Sequence, residues 1–209
     1  MGGSNRGGDG CPTSSPHFPA VKTLKPYLAL SGHPRMTTAA VADLAEWYGL
    51  EPWPTRPLPA DRTGVVVTSS GPWLHVPGLP PTAWHPGLTP WRLSRGGEDP
   101  LVRATAAGPG RRIVDATLGL GHDALVLRAA GASVLGVECR PALALLTFFG
   151  HAAKAVGPAL ALRLGDFRAV LGLLPTGSAD VVYFDPMFPV ESTGPNPTWA
   201  PVRAAACHD

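Results

Sequence analysis

The sequence predicts an α/β protein whose C-terminal half is a doubly wound parallel sheet. Three observations carry that expectation. Beyond Gly110, short runs that are apolar on both faces alternate with segments of helix length, and such strands are buried under helices on both sides. The 209 residues are 44% hydrophobic, enough to bury a sizeable core. The 25 glycines and 25 prolines follow no repeat period and crowd into the first hundred residues, so the front half is the loop-rich one.

Residues 1–20 are Gly, Ser, Pro and Asn with little to bury and are expected to form a disordered tail. Residues 21–90 are expected to form a small α+β region. Within it Val41, Leu44, Ala45 and Tyr48 recur at helical spacing behind Thr37, and Gly49 stops the helix. Gly64 to Thr68 and Trp73 to Val76 flank Ser69-Ser70-Gly71-Pro72, a hairpin pattern, and Pro77 to Pro90 reads as a connector. The core is expected over 91–189. Its strands are Arg112 to Ala116, Ser133 to Val137, Leu160 to Leu164 and Ala179 to Phe184; its helices are Asp123 to Ala130 and Pro141 to Val156. Right-handed crossovers between them make the sheet doubly wound. In 190–209 the glycine and prolines Gly194, Pro195, Pro197 and Pro201 leave room for one short helix near Arg203 to Cys207.

Composition narrows the function classes only loosely. A formal charge of +2, from 17 basic against 15 acidic residues, neither demands nor excludes a nucleic-acid partner. Cys11, Cys139 and Cys207 are odd in number and lack zinc-site spacing, which fits a reducing cytosol. The richest apolar stretch, Ala142 to Gly150, is interrupted by His151 and Lys154 before it reaches membrane-spanning length, and the N-terminus has no signal-like apolar core. A soluble cytoplasmic protein is the reading. The histidines show no ligand spacing, so no metal is expected, and the six tryptophans are expected mostly to supply core.

In doubly wound sheets ligands bind beyond the carboxyl ends of the strands. Four loops stand there. Asp115 to Asp123 carries Gly119 and Gly121, which permit a tight turn and close approach of a ligand to a helix N-terminus, or simply a tight connection. Glu138 lies 17 residues beyond Gly121, where a carboxylate accepts ribose hydroxyls or merely ends a strand in solvent. Asp166 suits either an adenine amine, with Phe167 as a stacking face, or a helix N-cap. Asp185-Pro186-Met187-Phe188-Pro189 is stiff, and an acid ending an apolar strand is costly unless paired. Its chemistry suits an exocyclic amine: a carboxylate and a proline-fixed carbonyl accept the N–H groups and localise the lone pair, while Phe188 stacks on the base. A stiff structural turn is the alternative.

In this order the loops resemble the class I S-adenosylmethionine-dependent methyltransferases, whose sheet is Rossmann-like. VDATLGLGHDALVL, VECRP and VVYFDPMFP are similar to the bacterial family that methylates the exocyclic N2 of a guanine in small-subunit ribosomal RNA. Trp91 to Gly97 and Leu101 to Ala104 are similar to that family's basic, glycine-rich segment. The resemblance implies S-adenosyl-L-methionine as cofactor, held by Asp115, Gly119, Gly121, His122, Asp123, Glu138, Cys139, Asp166, Phe167 and Asp185. It implies catalysis by Asp185, Pro186 and Phe188, and an RNA substrate met by Arg92, Arg95 and Arg103. His122 and Cys139 stand where the family has Arg. The family continues with a helix and further strands beyond DPMFP, so the resemblance also implies a C-terminally incomplete domain whose VVYF strand is an exposed edge.

Two other readings stay open. Gly119-Leu120-Gly121-His122-Asp123-Ala124 fits the dinucleotide pattern of an NAD-dependent oxidoreductase, which leaves Asp115 and DPMFP without a role. Arg92, Arg95, Arg103, Arg111 and Arg112 fit a non-catalytic RNA-binding module.

Overall fold

The computed structural model describes residues 27–31, 38–53, 57–152, 157, 159–187 and 199–206. The expected tail over 1–20 and the stacking residue Phe188 lie outside them.

Five strands form the first sheet: β1 (Tyr27–Ser31), β2 (Glu51–Trp53), β3 (Gly64–Thr68), β4 (Gly71–His75) and β5 (Thr82–Ala83), in the order β2-β1-β3-β4-β5. β1 runs parallel to β2 and β3, while β3, β4 and β5 are antiparallel neighbours. The hairpin turns more tightly than its sequence suggests. Thr68 faces Gly71 across Ser69 and Ser70, Gly71 takes φ +124, and Thr68 Oγ1 closes the turn by donating to Gly71 O at 2.8 Å. Sequence reading misses β1 and β2 and leaves β5 inside the connector. At Gly64 the missing side chain is a packing requirement, because a Cβ there would overlap the Tyr27 ring lying across β3. Helix α1 (Thr38–Trp47) follows the predicted periodicity, burying Val41, Ala45 and Tyr48 ahead of a left-handed Gly49.

Helices α2 (Thr89–Arg95) and α3 (Pro100–Thr105) lead into the second sheet. Its strands β6 (Arg112–Asp115), β7 (Ser133–Glu138), β8 (Ala161–Leu164) and β9 (Val181–Tyr183) are all parallel, in the order β8-β7-β6-β9. The connecting helices are α4 (His122–Ala129), α5 (Pro141–Ala152) and α6 (Phe167–Leu173), and a last helix, α7 (Ala200–Ala205), covers part of the expected position. Strand order reverses between β6 and β9, which opens a crevice at their carboxyl ends.

Register puts Ile113, Val134 and Val181 in one row and alternation turns them to one face, where Ala124 and Leu127 of α4 pack. The opposite face carries Val114, Leu135 and Val182. Helices were expected on both faces, yet this second face is only partly covered: α6 lies against β7, a cavity of about 290 Å³ opens over Val114, Leu135 and Ala161, and Val182 is 53% exposed. Among the described residues β9 pairs with β6 alone.

Helix α5 joins the sheets. A helix apolar nearly all round is buried on most of its surface: Leu143 to Leu146 have none exposed, Phe148 is 38% exposed, and α5 packs on β3 and β4 from one side and on β7 and β8 from the other. Of the tryptophans, Trp84 and Trp199 pack against that core and Trp53 against Tyr27, Ala29 and Val66, each only partly buried. None of the six is buried, and Trp47 and Trp91 are largely exposed, because the aliphatic residues of α5, β3 and β4 already fill the interior.

Candidate active site

The four loops meet at the carboxyl end of the parallel sheet. Leu118 N donates to Val137 O, Gly165 N to Glu138 O and Ala116 N to Tyr183 O, so each loop is tied to the end of a neighbouring strand. Asp185 N donates to Thr117 Oγ1 at 2.8 Å, and the Met187 methyl lies against Gly119, where an added Cβ would come within 3.3 Å of it. The glycine loop and the fourth-strand loop therefore flank the crevice between β6 and β9.

Gly119 and Gly121 both take left-handed φ, +51 and +69, which glycine adopts without strain. The turn aims Gly119 N at Glu138 Oε2, 3.0 Å away. Glu138 Oε1 accepts from Arg140 N at 2.8 Å and has the Cys139 thiol 3.6 Å away. Each carboxylate oxygen has two lone pairs, so acceptor capacity for ribose hydroxyls is left. Burial raises the Glu138 pKa, and these donors oppose the rise. Asp115 is 1% exposed; burial pushes its carboxyl up to about 7, and the nearby Asp123, Glu138 and Asp185 charges add to the shift, while Thr117 N opposes it from 3.2 Å.

Asp185 is exposed, so the desolvation cost argued from its apolar strand falls on Asp115 and Glu138 instead. A polar chain leads up to it. Arg92 of α2 donates Nε and Nη2 to Asp99 at 3.0 and 3.1 Å and Nη1 to Asp123. Asp123 accepts from the Tyr183 hydroxyl at 2.8 Å, and that hydroxyl stands 3.3 Å from Asp185 Oδ2. Burial and the bond to Asp123 push the Tyr183 phenol far above its ordinary pKa, which keeps it a donor. Arg92 holds the buried Asp99 below the usual carboxylate range, and Asp99 in turn caps α3 through Leu101 N.

The remaining predicted residues are placed as follows. Asp166 is exposed and caps α6, accepting from Arg168 N at 2.8 Å. Phe167 lies 5.0 Å from Phe184, centroid to centroid, which bridges the third and fourth loops. His122 donates Nε2–H to His85 O at 2.6 Å, and burial lowers its pKa. Of the arginines, Arg92 turns inward, while Arg95, over the exposed Trp91 ring at 5.1 Å, and Arg103 face outward. Arg112 is paired with Asp180 at 2.7 Å, so the five arginines do not line one track. Among the described residues no cluster of metal-ligating side chains occurs.

Sequence reading misses Tyr183, Thr117, Asp99 and Thr147, whose hydroxyl donates to Gly119 O at 2.6 Å. Thr117, inside the first loop, and Tyr183, inside VVYFDPMFP, lie in stretches already singled out in the sequence. It also misses His151, whose buried Nδ1 accepts from Arg128 at 3.0 Å. Arginine can only donate, so the ring proton sits on Nε2, which has no hydrogen-bond partner among the described residues and faces Gly121. Burial, with Arg128 beside it, pushes the His151 pKa down to about 4.

A parallel sheet in this order, with a glycine loop, a buried strand-end acid and an acid-bearing loop around the switch point, defines an α/β fold of the doubly wound class. Residues 89–194, half of the chain, match the family described as "Putative SAM-dependent methyltransferase", and the chain belongs to that family. It is 37% identical over 142 residues to the ribosomal RNA small subunit methyltransferase J of Alkalilimnicola ehrlichii, covering 63% of this chain and 53% of that protein. It is 40% identical over 106 residues to the protein of the same name from Rhodopseudomonas palustris, covering 47% and 52%. The chain thus spans about half the length of the curated relatives it matches. A SAM-dependent methyltransferase of Neisseria gonorrhoeae, 23% identical, superposes with a TM-score of 0.56 over 79% of this chain and 72% of that one, which shows a shared fold.

Proposed function

We propose that the crevice between β6 and β9 binds S-adenosylmethionine and that the chain transfers its methyl group to an exocyclic amine of RNA. The observation that carries the cofactor is the gathering of Asp115, Asp123, Glu138 and Asp185 around the glycine loop, where Glu138 meets Gly119 N, Asp115 meets Thr117 N and Asp123 and Asp185 both approach the Tyr183 hydroxyl. Such a cluster favours a ligand with positive charge and hydroxyl donors, and the methyl donor has both in its sulfonium and ammonium groups and its ribose. The pyrophosphate of NAD would add negative charge to the same place. When bound, the donor supplies the reactive methyl carbon, so the protein's task is alignment. Glu138 accepts ribose hydroxyls, Asp166 and Phe167 meet the adenine, and Asp185, its backbone N held by Thr117, accepts the N–H groups of the amine, with Pro186 and Phe188 of the same loop as its partners in that role.

The names of the relatives support small-subunit ribosomal RNA as the substrate class, and the DPMFP resemblance adds guanine N2. Arg95 and Arg103 suit the RNA backbone; Arg92, engaged by two carboxylates, is assigned to holding Asp123. Side-by-side calorimetry with S-adenosylmethionine and NAD tests the cofactor, and transfer of labelled methyl to small-subunit rRNA tests the substrate. Binding of NAD without binding of the methyl donor would overturn the reading.

A further inference from the structure

The glycine loop is held from outside the parallel sheet at three points. Thr147 of α5 binds Gly119 O, Trp84 donates Nε1–H to Leu120 O at 3.0 Å, and His122 reaches His85 O at 2.6 Å. Trp84 and His85 belong to neither the parallel sheet nor its crossover helices, since they follow β5 of the N-terminal sheet.

Trp84 is itself firmly placed. Its backbone N donates to Pro72 O of β4 at 3.1 Å, and its ring lies flush on α5 at Gly150, where a Cβ would overlap it. The ring also meets His122 and His151 edge-on, with centroids 6.1 and 5.8 Å apart. From the other side His151 closes on Gly121, where a Cβ would come within 2.6 Å of Nε2. A segment with two left-handed glycines has much conformational freedom to lose. Fixing the carbonyls of Gly119 and Leu120 fixes their peptide planes, and with them the directions of the next two N–H groups, because a trans peptide opposes N–H to C=O.

We propose that Trp84 and His85 are positioning residues of the cofactor site: through them the N-terminal sheet holds residues 118–122 in the conformation that receives the methyl donor. This rests on reading the glycine loop as the S-adenosylmethionine site. A purely structural Trp84 would contribute packing alone, and Trp84→Phe separates the two roles, since it keeps an aromatic ring on Gly150 and removes the donor to Leu120 O.

The test uses the whole 209-residue chain. It combines amide hydrogen exchange over 118–122, calorimetric titration with S-adenosylhomocysteine, and thermal melting. With W84F, exchange in the loop accelerates and affinity falls by about 3- to 10-fold, the range one net hydrogen bond supplies, while exchange in β6 and β7 stays as in the wild type. His122→Phe, which keeps a ring against Trp84 and removes the donor to His85 O, speeds loop exchange in the same way and serves should W84F melt early. Wild-type loop exchange in both variants, or wild-type affinity in W84F, overturns the proposal. Failure of the unsubstituted chain to bind S-adenosylhomocysteine defeats the methyl-donor reading itself, an outcome separate from any response of the loop.

Discussion

The two sheets place their buried groups differently. In the N-terminal sheet β3 is buried from Gly64 to Val67, and its interior with α1 is almost wholly aliphatic. In the parallel sheet β6 and β7 are equally buried, but each ends in a carboxylate, Asp115 and Glu138, at 1% and 8% exposure. A buried charge costs several kcal/mol unless it is paired or hydrogen-bonded. Here the donors are backbone N–H groups of Thr117, Gly119 and Arg140, so the acids are tolerated only while the loops keep their shape. One region supplies apolar stability, the other spends it at the site, and α5 makes them share a core.

The largest test of this division is Leu145→Ala. Emptying a site with no exposed surface should cost about 2 to 5 kcal/mol. Because α5 belongs to both sheets, urea unfolding followed by tryptophan fluorescence and by far-UV circular dichroism should give one coincident, shifted transition. Two separated transitions would mean that the sheets are independent.

Next in size, Asp185→Ala should lower methyl transfer to RNA by roughly 10²-fold, with a much smaller loss of calorimetric affinity for S-adenosylmethionine, because the acid is exposed where the amine is proposed to bind. Equal turnover would remove Asp185 from the chemistry. Glu138→Ala should instead weaken donor binding by about 1 to 3 kcal/mol, since the proposed ribose acceptor and the partner of Gly119 N are lost together. Unchanged binding would place the ribose elsewhere.

In the wild type the smallest effect is the one of pH. The Asp115 pKa stands at about 7, above its unfolded value, so its contribution to stability is full in acid and is lost as pH rises through 7. His151 stands at about 4, below its ordinary 6.5, so its contribution is full above 6.5 and is lost as pH falls toward 4. Between these values the slopes oppose, and the wild-type midpoint in urea should move little. Asp115→Asn keeps an acceptor for Thr117 N and removes one slope. The variant should be more stable than wild type at pH 8 and lose that advantage by pH 4; a constant difference across this range would show that Asp115 does not titrate as its burial implies.

How much was legible follows from the range of the interactions involved. Helix α1 announced itself through Val41, Leu44, Ala45 and Tyr48, and β6, β7, β8 and β9 through apolar runs closed by turn residues, because periodicity and turn chemistry are local. The strands β1 and β2 did not. Tyr27 pairs with both Glu51 and Gly64, and β2 is three residues long and contains Pro52, so pairing across the chain rather than strand propensity makes them strands.

The site divides the same way. The residues at the four strand ends were visible because a doubly wound sheet brings its loops to one edge, so the order of motifs along the chain already fixed which acids would gather there. Their partners were not. Arg92 is 31 residues from Asp123, Tyr183 is 60 from it, and Trp84 is 36 from Leu120. A side chain's chemistry states that it needs a donor or an acceptor, and its neighbours in sequence say nothing about which distant group will supply one. The sequence by itself determined the parallel sheet, the glycine turn and the acids around it. The tertiary structure alone decided that Asp115 rather than Asp185 is the desolvated acid, that Arg92 faces inward, and that the N-terminal sheet reaches the glycine loop, because burial and long-range hydrogen bonds are set by packing.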